Sequence, residues 1–210
     1  MNEKMNEKKN PTTVYRDIPV SGSASASAAD PAKKRTAGVY PLVLCGVFAA
    51  VMVICSQILI PLPSGVPINL AILGVLLCAG CLGFRYGMIA QIIYVLLGGI
   101  GIPVFAGLSG GLHVIAGPTG GYIVGYILCA GVVGFIASRT RSFWALVGAM
   151  ILGVLVCYAF GTIWYVHLMN ISFAVGLAQC VIPFLPFDAV KIALAALLVQ
   201  RLRQTKLVKL

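Results

Sequence analysis

Asp188 and Lys191 stand three residues apart in "PFLPFDAVKIALA", and they are the only charged residues inside an apolar run. On a helix, that spacing puts a carboxylate and an ammonium on one face, where they can pair. Pro186 suits the opening of a helix, which places Asp188 in the first turn, where the helix dipole favours an anion. Ionisable groups at membrane depth are costly and by default mark a ligand or ion site. The competing reading is a structural pair that orients its helix. Two neutral amides can add donors and acceptors: Gln57 near the end of the first apolar run, and Asn69 at the start of the second. Each suits either a ligand contact or a hydrogen bond between helices.

A second constellation is made of backbone. "GGIGIPVFAGLSGGLHVIAGPTGGY", residues 98–122, holds nine of the chain's 24 glycines and is expected to be neither helix nor strand. Glycine permits positive φ and lets a backbone come close to a ligand. Irregular backbone at membrane depth is tolerated only against protein or a polar cavity. The segment therefore reads as a binding loop, anchored by apolar residues such as Val104 and Ile115; the plainer alternative is a flexible connector. Its candidate contacts are Gly99, Pro103, Phe105, Gly110, Gly111, Pro118, Thr119, Gly120 and Gly121, with Tyr122 opening the next helix. His113 and His167 are isolated and read as solvated or structural. No GxxxxGK[ST] string, Ser/His/Asp set or HExxH occurs, so neither an enzyme nor a nucleotide, metal or cofactor site is expected. Cys78 and Cys81 form a lone CxxC with no histidine near it, which points to helix packing.

These residues need membrane helices to position them. The chain has 210 residues, 60% hydrophobic and 10% charged, with a mean hydropathy of +1.01. A soluble domain of that composition would lack polar surface to face water. The net charge of +10 does not suggest nucleic acid, because the basic residues cluster at the chain ends and in short gaps between apolar runs.

Residues 1–37, with "MNEKMNEKK" and "SGSASASAAD", read as a disordered cytoplasmic tail. Apolar runs at 38–60, 67–84, 86–101, 119–138 and 143–166, and a last helix from Pro186 to 204, predict an all-α membrane protein with six transmembrane helices. The stretch 174–185 is too short to span and reads as interfacial or re-entrant; residues 205–210 form a basic end. With both termini cytoplasmic, every Lys and Arg except Lys191 lies inside, and the connections 61–66, 102–118 and 167–173 carry none. The stretches rich in proline and glycine, including the loop between helices three and four, then share the outer face, which suggests binding from that side.

"IPLPSGVPINL", the glycine segment with its "GPTGGY", and "PFLPFDAVKIALA" together resemble the BioY family, the biotin-specific substrate-capture components of energy-coupling factor transporters. The resemblance covers about residues 40–200. It implies a multi-pass plasma-membrane protein that takes biotin at the outer face and works with a transmembrane coupling subunit and two ABC-type ATPase subunits. It also implies a docking stripe of small residues on helix one, found here as Gly46 and Ala50 beside Cys45 and Ala49, which equally suits internal packing. One departure is Asn69, where similar sequences carry Thr. The ligand's ureido group needs an acceptor, suited to Asp188, and a donor, suited to Lys191, Gln57 or Asn69. A passive channel, an intramembrane enzyme and a capture component for another vitamin are the rival readings.

Overall fold

The computed structural model describes residues 31–205, with side chains from 39 onward; the expected tail up to residue 30 and the basic end from 206 lie outside the described residues. The elements are α1 (Pro31–Gln57), β1 (Leu59–Ile60), β2 (Ile68–Asn69), α2 (Ala71–Gly99), α3 (Leu112–Ile115), α4 (Gly120–Arg139), α5 (Phe143–Met169), α6 (Phe173–Cys180) and α7 (Leu185–Gln204). α1 thus starts within the segment read as tail. Among the described residues, four helices are long and apolar enough to cross a membrane: Val39–Gln57, α2, α4 and α5. The pair α6 and α7, bent by 53° at the break between them, makes a fifth candidate if taken as one span.

α2 is broken at Gly83, whose φ of 72° and ψ of −164° suit glycine alone. The two halves fold back on each other: a Cβ on Gly87 would stand 3.1 Å from Ala79 Cα, and Cys78 Sγ lies 3.8 Å from Gly87 O. Ile72 and Tyr94, which a straight helix would hold roughly 33 Å apart, line one cavity. The break therefore falls two residues before Arg85, where the charge pattern puts the boundary.

The hairpin of α2 sits centrally, packed against α1, α4 and α7, while α4 packs on α5. Small residues permit the close approach of α4 and α5. A Cβ on Gly125 would stand 3.1 Å from Cys157 Sγ, and one on Gly121 or Gly161 would overlap Trp164 or the Tyr122 ring. Large apolar side chains such as Ile54, Leu155, Ile163 and Leu197 point outward, as lipid-facing helices require.

On α1, Gly46 and Ala50 are exposed, and nothing lies within 4 Å of a Cβ placed on Gly46. Ala49 is buried with Cys45. A turn of 3.6 residues puts 46 and 50 on one face and 45 and 49 on the inward one, so Ala49 is not available to a docking partner.

Two features depart from the expected irregular connections. β1 and β2 pair antiparallel, Leu59 opposite Asn69 and Ile60 opposite Ile68, closing residues 61–67 into a hairpin loop. The glycine segment, expected to be neither helix nor strand, contains the single turn α3 and a bridge between Phe105 and Ser109.

Candidate functional site

A cavity of about 360 Å³ opens among the hairpin loop, the glycine segment and helices α2, α4, α5 and α7, a volume within the usual range for small-molecule sites. Its polar wall includes Asp188, Lys191, Asn69, Tyr94, Tyr126, Tyr158, Ser109 and Thr119; its apolar wall includes Leu62, Val66, Ile72, Phe105, Ile123 and Phe184. A few convergent polar groups on an apolar surround suit a ligand with a compact polar head and an apolar body.

Asp188 and Lys191 are 2% and 4% exposed. Pro186 lies in the first turn of α7, so the helix starts where the residue pattern puts it. Lys191 Nζ donates to Asp188 Oδ1 at 2.6 Å, and the Tyr158 hydroxyl donates to Asp188 Oδ2. This three-membered polar cluster keeps capacity to bind more. Each carboxylate oxygen has a second lone pair, and the ammonium has three donors. Asn69 accepts the Ala71 amide on its Oδ1 at 3.1 Å, and it lines the cavity together with Tyr126. Its amide is thereby oriented at the entry to α2.

The candidate residues divide into two groups. Asp188, Lys191, Asn69, Phe105, Thr119 and Tyr122 come together on the cavity wall. Gln57, Gly99, Pro103, Gly110, Gly111, Pro118, Gly120 and Gly121 do not line it, and several of them instead shape the walls. Gln57 grips the glycine segment from behind: its Nε2 donates to Phe105 O at 3.0 Å and its Oε1 accepts from Leu108 N at 2.9 Å. A side chain on Gly110 or Gly120 would strike the carbonyl of Ile102 or Ile115. Gly111 has a φ of 105°. A side chain on Gly98 would overlap the Phe105 ring, which meets Tyr94 edge to face with centroids 5.5 Å apart.

On the other side, Tyr165 Oη stands 3.0 Å from both Ser64 O and Gln179 Oε1, tying the hairpin loop to α6. Tyr122 Oη lies 3.1 Å from Thr162 Oγ1. Residue-level reading missed Tyr94, Tyr126 and Tyr158. An aromatic in an apolar run looks like core, and only the direction of its hydroxyl separates the two. His113 and His167 stand outside the cavity wall, and the CxxC cysteines are buried in α2.

Over residues 26–207 the chain matches the BioY family. It is 40% identical over 166 residues to the biotin transporter BioY of Thermotoga maritima, across 78% of this chain and 95% of that protein. It is 38% identical over 171 residues to the biotin transporter BioY of Rhizobium etli, across 75% of this chain and 89% of that one. A crystal structure of the S-component for biotin from an ECF-type ABC transporter shares the fold with a TM-score of 0.75 and 28% identity, covering 81% of this chain and 94% of that chain.

Proposed function

The chain belongs to the BioY family, and from that premise we propose that it is the substrate-capture subunit of a biotin uptake transporter. It takes biotin at the outer face and delivers it inward when joined to a transmembrane coupling subunit and two ABC-type ATPase subunits. The observation that carries the reading is the Asp188, Lys191 and Tyr158 cluster buried in the wall of a 360 Å³ cavity. Its chemistry matches a ureido group, whose N–H groups seek the carboxylate and whose carbonyl seeks Lys191 or Asn69. The valerate carboxylate belongs at the mouth, near the glycine segment, because an unpaired anion is far costlier to bury than a neutral urea.

Six transmembrane helices follow if the two halves of α2 each cross and α7 crosses with α6 as its outer elbow. Both termini are then cytoplasmic, supported by the absence of Lys and Arg from the loops around the cavity. Gly46 and Ala50 form the small-residue face on α1 that receives the coupling subunit.

Reconstitution into liposomes tests the reading. Biotin should bind to the chain alone, but accumulate against a gradient only when the coupling and ATPase subunits and ATP are present. Equal flux from the chain alone would make it a channel, and a chemically altered biotin would make it an enzyme.

A further inference from the structure

A second cavity, of about 660 Å³, lies at the end of the bundle away from the ligand cavity, lined among others by Arg139, Arg141, Arg203, Gln200 and Gln204. Three arginines meet there without an acid. Asp188 is the sole acidic residue among the described residues. It lies roughly 22 Å from Arg203 along α7 and is already paired with Lys191.

Arg203 is fixed but not neutralised. Its guanidinium donates to Gly80 O at 2.6 Å, Ala137 O at 2.8 Å and Thr140 O at 3.3 Å, so carbonyl dipoles hold it in place while the charge remains. Arg141 lines the same cavity. Arg139 lies over the Phe135 ring, 3.8 Å from its centroid, a contact that leaves the charge in place. Like charges gathered at the ends of α4 and α7 and in the connection between α4 and α5 favour an anion. The fork geometry of guanidinium matches phosphate oxygens best. The neighbourhood is also interfacial in character: Trp144, one residue beyond the lining Phe143, is 79% exposed, the setting in which tryptophan meets a lipid headgroup layer.

We propose that this cavity binds a phosphate-bearing anion, supplied by the headgroup phosphodiester of an anionic phospholipid. Basic pockets between transmembrane helices hold such headgroups by the same chemistry.

Thermal melting of the purified, delipidated full chain in neutral detergent tests this, with phosphatidylglycerol, phosphatidylcholine and inorganic phosphate as separate additives. Phosphatidylglycerol should raise the melting temperature by several degrees in a saturable way, and phosphatidylcholine should not. Replacing Arg139→Gln and Arg141→Gln together should raise the half-maximal concentration about tenfold or more. Retained biotin binding would report that this variant is folded. The Arg139→Lys, Arg141→Lys pair keeps the charge needed for insertion and should show a smaller loss.

An equal shift from inorganic phosphate at matched concentration would support the anion site and overturn lipid as its source. A response to phosphatidylcholine equal to that for phosphatidylglycerol would overturn the proposal, as would an undiminished response in the double variant. So would loss of coupling-subunit binding in a variant whose wild type ignores anionic lipid, since the patch would then be a protein interface.

Discussion

At the residue scale the two readings of Asp188 diverge most. If it accepts ureido N–H bonds, Asp188→Asn keeps the shape but turns one acceptor into a donor facing a donor. A charge-assisted bond lost in a desolvated cavity costs roughly 1.5–3 kcal/mol, about ten- to a hundredfold in affinity. Analogues of biotin lacking one ureido N–H should bind the native chain poorly and lose much less on the substitution. Were the pair only structural, Asp188→Asn would leave affinity near normal and lower the melting temperature, and adding Lys191→Met would restore it. Tyr158→Phe separates the hydroxyl's part: it removes one of two donors from Asp188, and a loss of about 1 kcal/mol, roughly fivefold, is expected by titration. Asp188 and Lys191 were legible because charge in an apolar run is conspicuous. Tyr158 was not, because its partner lies thirty positions away along the chain.

At the element scale the glycine segment supplies Phe105, Ala106, Gly107 and Ser109 to the cavity wall. Gln57 joins it to α1 through Phe105 O and Leu108 N. Gln57→Ala should therefore weaken biotin binding without touching the ligand, and hydrogen exchange should quicken at the Leu108 amide; unchanged exchange would remove the clamp from the explanation. Val at Gly110 must push Ile102 O aside, and Val at Gly111 must adopt a φ near 105°. Either should lower affinity in a protein that still folds, and a folded double variant with native affinity would return the segment to a mere connector. Length and apolar composition made the helices readable, and Arg85 marked the turn inside α2 to within two residues. The paired strands escaped notice because two residues each carry no periodicity. The single turn α3 escaped for the same reason, lying among glycines that argue against a helix.

At the scale of the whole molecule, one end gathers the loops and the ligand cavity while the other gathers the arginines. The basic residues made that asymmetry plain in the sequence, whereas the inward direction of Ala49 needed the packed helix. Leu at Gly46 or Ala50 should impair assembly with the coupling subunit in a pull-down while leaving biotin binding intact. Leu at Ala49 should instead lower thermal stability by overpacking. Assembly that survives both exposed substitutions would put the docking surface elsewhere. Capture of biotin is the claim on which the rest stands, and calorimetric titration of the purified chain, without its partners, against a panel of vitamins tests it most directly. The expected result is saturable binding of biotin with one ligand per chain and no heat from the others; no heat with biotin, alongside saturation by a different vitamin, would contradict it.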